Sequence, residues 1–316
     1  MTSASTNSNT DNKQRSSSEK IVDRSFIWLT ATLAFAIAGV LLWIAIQVGI
    51  QAIPAIKEFG LSFLTGSSWN PPEKQYAILP MIYGTVISSL IALMIAFPVG
   101  VACAIVLSEN FIPKSARRTL VFLVELLAAI PSVVYGLWGI YVLIPFLKPI
   151  GRFLHNNFGW FPLFSTSYAG PGMLPAGVIL SIMILPLITA IARDSLASLP
   201  DDLRSGSYAV GSTRWQTIFS VLIPAAFSGI IGGTMLALGR ALGETMAATL
   251  VIGNSNDLNF SVLAPANTIA SLMANQFSEA SGLQRQSLMY AGLVLFAITL
   301  VVNIIAESII QKVKKY

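Results

Sequence analysis

The sequence predicts an all-α membrane protein with six transmembrane helices, and three observations carry that expectation. Apolar residues make up 54% of the chain and charged residues only 10%, where a soluble domain carries about 25% charge. The mean hydropathy is +0.72. Six apolar stretches reach the ~20 residues that a ~30 Å hydrocarbon core demands: Phe26–Ile50, Ile78–Leu107, Thr119–Leu147, Met173–Ala192, Ile218–Ile252 and Leu288–Ile310. Backbone amides find no water in lipid, so each stretch must be helical. The period-2 alternation of a lipid-facing barrel is absent, which excludes an outer-membrane barrel.

The elements follow in order. Residues 1–25 are rich in Ser, Thr and Asn up to Ser18. They cannot bury a core and are expected to form a disordered cytoplasmic tail. The apolar run after them is span-length with no small-residue cleavage site, so residues 26–50 are expected to stay as a first membrane anchor rather than a signal peptide. In the loop to the second span, Trp69-Asn70-Pro71-Pro72 reads as a rigid turn. The second span holds Pro80, Pro98 and Cys103, the sole cysteine. No intrachain disulfide is possible, and Cys103 reads as a small packing residue. The third span carries Glu125, then Pro131 followed by Gly136 and Gly139. Proline removes a backbone hydrogen bond and kinks a helix, so Pro131 and Gly136 are the hinge candidates.

An aromatic loop, Lys148–Gly172, precedes the fourth span and contains the single histidine, His155, expected to be a solvated loop residue too isolated for a metal site. The fourth span holds Pro186. After the fifth, Gly253–Gln286 is polar, with Ile269–Phe277 a candidate short interfacial helix.

Orientation follows from the basic residues. With six spans both termini share a side. Thirteen Lys and Arg fall on that side against five on the other, with Arg240 inside a span. Positive residues stay inside, so both termini are expected in the cytoplasm. The net charge of +5 therefore reflects topology, not nucleic-acid binding.

Two stretches carry chemistry. The first is the polar loop 200–224 between the fourth and fifth spans. Asp201 and Asp202 after Pro200 suit a helix start. Gly211 supplies the left-handed residue that ends a helix. Ser212 or Thr213 caps a second helix with Trp215, Ile218 and Phe219, leading to Pro224. A helix–glycine turn–helix is predicted, and both an ordinary connection and a docking element fit it. The second stretch is in the fifth span. A buried Arg240 costs ~2.5–3.5 kcal/mol on insertion scales and needs a partner or water. Glu244, four residues on, is expected on the same helix face. Gly229/Gly233 and Gly239/Gly243 are GxxxG pairs that admit a close neighbour. Two readings of the charges stand. They form a structural ion pair, or Arg240 offers its planar fork to a transported anion while Glu244 orients it. Glu125 is expected to be a third buried charge, an alternative partner for Arg240 or a group protonated by desolvation.

These residues resemble a known family. The loop is similar to the signature of ABC importer permeases: Glu-Ala-Ala, three residues, Gly, nine residues, Ile-x-Leu-Pro. Here Ser205-Gly206-Ser207, three residues, Gly211 and nine residues lead to Val221-Leu222-Ile223-Pro224. Ser205 stands in place of the Glu and Gly206 in place of the first Ala. Glu125 through Gly136 (ELLAAIPSVVYG) and Leu238 through Ala247 (LGRALGETMA) resemble the third and fifth spans of the PstC-type permease subunit of the phosphate-specific ABC importer.

The resemblance covers about residues 77–311 and implies a type I ABC importer permease fold there, in the plasma (inner) membrane of a bacterium. It implies inorganic phosphate as substrate, passing Arg240, Glu244 and Glu125. It also implies ATPase coupling through Ser205, Gly206, Ser207, Gly211, Arg214 and Pro224. The implied partners are a second related permease, two ATPase subunits that bind ATP and Mg, and an external phosphate-binding protein. No GxxxxGK[ST] run occurs, so this chain has no P-loop and is expected to hold no cofactor. No Ser/His/Asp or Cys/His set is available, so no catalytic residue is assigned. A permease for another oxyanion, sulfate or molybdate, and an ion-gradient-driven secondary transporter are the alternatives; the latter class shows inverted repeats, and no convincing one is found.

Overall fold

The structure, a computed structural model, describes residues 17–109 and 111–313, with side chains described for 23–109 and 111–312. The chain divides after Ile50 into two units. Helix α1, Ser17–Phe59, runs through that boundary. It already includes residues 17–25 of the expected tail; residues 1–16 lie outside the described residues. The first unit's described part is residues 17–50 of this helix, with large apolar side chains such as Phe26, Trp28 and Leu41 exposed, as lipid contact requires.

The second unit holds the rest of the elements. After the end of α1 come α2 (Ser62–Thr65), the strands β1 (Trp69–Asn70) and β2 (Gln75–Tyr76), and α3 (Leu79–Ser108). Then follow α4 (Lys114–Ala129), α5 (Ser132–Trp138), a π turn (Gly139–Leu143) and α6 (Ile144–Phe158). Next are α7 (Met173–Ala197), α8 (Asp201–Ala209), α9 (Arg214–Thr217) and a second π turn (Ile218–Leu222). The chain closes with α10 (Ile223–Gly243), α11 (Met246–Val251), α12 (Ile269–Gln276) and α13 (Gly282–Val313). The Pro71-Pro72 turn is the tip of a small antiparallel hairpin, Trp69 opposite Tyr76, with Lys74 in the left-handed region.

Among the described residues six helices are long and apolar enough to span: Asp23–Phe59, Leu79–Ser108, Ser132–Phe158, Met173–Ala197, Arg214–Gly243 and Gly282–Lys312. The third differs from the expected Thr119–Leu147. Pro131 has no N–H and forces the preceding residue out of the helical region, and Ile130 is extended at ψ 130. The chain turns a corner there. Charged α4 becomes a separate helix, and the span slides to Ser132–Phe158. His155 therefore sits in the last turn of α6, half-buried, with Nδ1 3.0 Å from the Phe164 carbonyl, and is not the solvated loop residue expected. The candidate interfacial helix is α12, capped by the Thr268 hydroxyl, which accepts from Ser271 N–H at 3.0 Å. Ile269 and Leu272 are fully buried against α3 and α13, so it is a core element.

The other prolines sort by position. Pro80 opens α3, while Pro98 and Pro186 lie inside unbroken helices. Pro145 and Pro224 each follow a π turn: Ile144 N–H reaches back to Gly139 O and Ile223 N–H to Ile218 O. A proline ring clashes with the carbonyl four residues earlier, and the wider turn relieves the clash just before it.

α3 and α7 form the centre of this unit. A Cβ at Gly100 would stand 2.9 Å from Ile188 Cγ2, and one at Gly177 would stand 2.5 Å from Ile91 Cγ2. Both glycines let the helix backbones approach. Thr189 Oγ1 donates to Gly100 O across the contact at 3.3 Å. α10 closes on α7 at Gly233, where a Cβ would meet Ile191 at 2.7 Å. Ala92, Ala96, Leu180, Ile184, Ile188, Ala237 and Ala241 fill the shared core.

Candidate functional site

The fifth span is not one helix. α10 ends at Gly243, Glu244 is extended at ψ 125, and α11 restarts at Met246. Two glycines in the last two turns weaken the helix, and the Glu244 carboxylate accepts from Ala247 N–H at 3.4 Å, in the first turn of the next one. The expected placement of Arg240 and Glu244 on one helix face is therefore not formed. Arg240 stands in the last turn of α10, exposed, where the helix dipole favours a cation. Among the described residues no carboxylate pairs with it. With Leu187, Met235, Leu236, Gly239 and Asn303 it lines a cleft of about 420 Å³ between α7, α10 and α13.

The two GxxxG pairs separate as well. Gly229 lies against Ser195 and Gly233 against Ile191, both on α7. A Cβ at Gly239 or Gly243 would meet nothing within 4 Å among the described residues. The first pair is used inside this chain, and the second leaves bare backbone beside Arg240.

Glu125, expected as a buried charge, is on α4 with its side chain 60% exposed, and its nearest cation is Arg193 of α7 at 3.9 Å. The structure thus places Glu125 beside Arg193, not Arg240. Arg193 is held closer by Asp194, at 2.8 Å. At the Pro131 corner Tyr135 Oη donates to Leu127 O at 2.8 Å, bracing α4 against α5. Gly136 is buried: a Cβ there would lie 2.5 Å from Leu250 Cδ1 of α11.

The loop 200–224 folds as the sequence suggests. α8 ends at Ala209, Gly211 takes φ +85, and α9 begins with a reciprocal cap. Gln216 N–H donates to Thr213 Oγ1 at 3.4 Å, and Thr213 N–H to Gln216 Oε1 at 2.8 Å. Such a box satisfies two orphan amides at once. Pro200, not an Asp, stands at the cap of α8; Asp201 and Asp202 lie in its first turn and act through the dipole. The Ser207 and Thr217 hydroxyls are buried 2.9 Å apart and join the two helices. Ser205 bonds back to Asp201 O at 3.1 Å, and Gly206 is exposed. The Arg214 guanidinium carbon lies 3.7 Å above the Phe111 ring, which packs on Trp215. Trp215, Phe219 and Val210 stay exposed on this element.

Sequence reasoning missed Arg204 and Glu109. Arg204 Nη2 is 3.0 Å from Glu109 Oε1, with the side chains 18% and 8% exposed. The available signal was Glu109 itself, an acid directly after an apolar span on the side rich in cations.

Residues 96–315 match the family described as "Binding-protein-dependent transport system inner membrane component". The chain is 43% identical over 299 residues to the phosphate transport system permease protein PstC of Mesorhizobium japonicum, covering 93% of this chain and 91% of that protein. It is 44% identical over 262 residues to the protein of the same name from Pasteurella multocida, covering 81% and 82%. In fold it is similar to a chain of a bacterial alginate ABC transporter crystallised with an alginate pentasaccharide-bound periplasmic protein. The TM-score is 0.56 at 20% identity, over 94% of this chain and 98% of that one. An inward-facing MetNI methionine ABC transporter gives 0.53 at 17%, over 75% and 94%. The architecture is that of type I ABC importer permeases.

Proposed function

Because the chain belongs to the family of binding-protein-dependent transport system inner membrane components, we propose that it is the membrane subunit through which an ATP-driven importer moves inorganic phosphate into the cytoplasm. The observation that carries this reading is the likeness, over 93% of the chain, to a relative named for phosphate transport. The exposed Arg240 agrees with it. A guanidinium facing lipid costs several kcal/mol, so this face must meet protein or water. Bare Gly239 and Gly243 beside it suit a close helix from a second, related permease. Phosphate then passes between the two subunits. Arg240 meets its oxygens with a planar fork that stays charged at any accessible pH. A path must also release what it binds, and one cation with no carboxylate partner among the described residues holds the anion without a closed cage.

The loop 200–224 docks on one of two ATPase subunits through Ser205, Gly206, Gly211, Arg214 and the exposed aromatics, while buried Ser207 supports that surface by holding α8 to α9. ATP and Mg are bound there, not in this chain, which is a non-enzymatic, multi-pass inner-membrane subunit. An external phosphate-binding protein delivers the anion to the far side. Both termini lie in the cytoplasm, by the excess of basic residues on their side. Pro131 and Gly136 sit where α4 and α5 meet, the corner that adjusts as the spans alternate.

Arg240→Gln in the reconstituted complex tests the pathway. The expected result is loss of phosphate uptake with assembly and ATP hydrolysis retained; normal uptake by that variant removes Arg240 from the path.

A further inference from the structure

We propose that Arg204 and Glu109 form the tie that passes motion of the loop 200–224 into the transmembrane helices, an inference that rests on the reading of this chain as an ATP-coupled permease. Arg204 lies in α8 and, apart from a 3.5 Å contact of Nη1 with Asp201 Oδ1 in the same helix, turns its guanidinium to groups outside it. Nη2 donates to Glu109 Oε1 at 3.0 Å and to Leu196 O at 2.9 Å. Nε donates to the same Glu109 oxygen at 3.2 Å, and Nη1 to Leu199 O at 3.1 Å. Glu109 caps the end of α3, its own N–H on Ile105 O at 3.0 Å. Leu196 belongs to the last turn of α7. One side chain thus joins the ends of α3, α7 and α8.

The pair is largely shielded from solvent, so it is not the screened surface bridge that contributes little. Removing Arg204 leaves a shielded carboxylate without this cation and takes the side-chain donor from Leu199 O, while Leu196 O keeps the Leu199 N–H at 3.4 Å. A planar fork reaches several acceptors in fixed directions, which a lysine ammonium cannot reproduce. The buried Ser207–Thr217 bond lies within the loop itself, and the loop's contacts towards α3 besides Arg204 are the stacking of Arg214 on Phe111 and the apolar packing of Ile218 and Leu222, which lack directed polar bonds. α3 and α7 are meshed at Gly100 and Gly177, so a load applied at α8 reaches both spans together. Arg204 touches no substrate; it is a positioning residue for coupling.

The test is phosphate taken up per ATP hydrolysed by the complex in proteoliposomes, for Arg204→Gln, Glu109→Gln and the double variant, with recovery of assembled complex as a second readout. The singles are expected to assemble and hydrolyse ATP near the wild-type rate while phosphate per ATP falls at least tenfold. The double variant should be no worse than the worse single, because both remove one tie. Arg204→Lys should restore part of the coupling. An unchanged ratio in the assembled singles, defects that multiply in the double variant, or failure of all variants including Arg204→Lys to assemble would overturn the tie. Absence of ATP-driven uptake in the wild type would instead strike the permease reading itself.

Discussion

Two glycines five residues apart in the loop 200–224 should respond to alanine with opposite signs. Gly206 is helical, exposed, and has nothing within 4 Å of where a Cβ would sit. A glycine inside a helix costs ~0.5–1 kcal/mol relative to alanine, so Gly206→Ala should stabilise α8 by about that amount. Gly211 also has nothing within 4 Å, but its φ is +85. There a Cβ meets no neighbour and strains only its own backbone, by roughly 1–2 kcal/mol. Hydrogen exchange of the amides that close this turn reads the local opening equilibrium directly. They are Val210 to Gly206 O, Gly211 to Tyr208 O and Ser212 to Ser207 O. In the membrane-reconstituted permease without its ATPase, Gly206→Ala should slow their exchange ~2–5-fold, a free energy of ~0.5–1 kcal/mol. Gly211→Ala should speed it ~5–30-fold. Gly211→Asn should fall between, since asparagine enters the left-handed region more readily. Equal effects of Asn and Ala at 211, or faster exchange in Gly206→Ala, would refute the conformational argument.

Gly233→Leu should lower the melting temperature of the solubilised complex, because its Cβ would press on Ile191 at 2.7 Å and overpacking costs ~1–3 kcal/mol; at the uncrowded Gly232 the same change should cost much less. Tyr168 lies outside the spans, and burial pushes its phenol from the usual 10.0 up to about 12. The folded state therefore keeps a proton that the unfolded state loses. Its contribution is complete below pH 10 and declines between 10 and 12. Tyr168→Phe should flatten that alkaline loss in a pH series of thermal melts, and an unchanged slope would count against the burial.

Much of this fold was legible because lipid leaves so few options. Span-length apolar runs must be helices, and Gly211 and Thr213 announce a turn and a cap through backbone chemistry that acts within four residues. What misled was continuity of apolar character. Thr119–Leu147 reads as one span because hydropathy does not register the missing N–H of Pro131 or the extended Ile130 before it. The fifth span reads through Glu244 in the same way, although that residue is extended and its side chain accepts from the first turn of α11 instead of sharing a helix face with Arg240. The tie between Arg204 and Glu109 joins residues 95 positions apart, a contact that no local pattern encodes. Nor could spacing distinguish the two GxxxG pairs, since one packs on α7 and the other has open space where its side chains would stand, among the described residues.

The most direct measurement is ATP-dependent uptake of radiolabelled phosphate into proteoliposomes holding this chain with its partner permease, ATPase and external binding protein, with sulfate and molybdate as competitors. The account predicts uptake that needs ATP, is blocked by unlabelled phosphate and is indifferent to the other two oxyanions. Uptake driven by an ion gradient without ATP, or label displaced by sulfate or molybdate as readily as by phosphate, would contradict it.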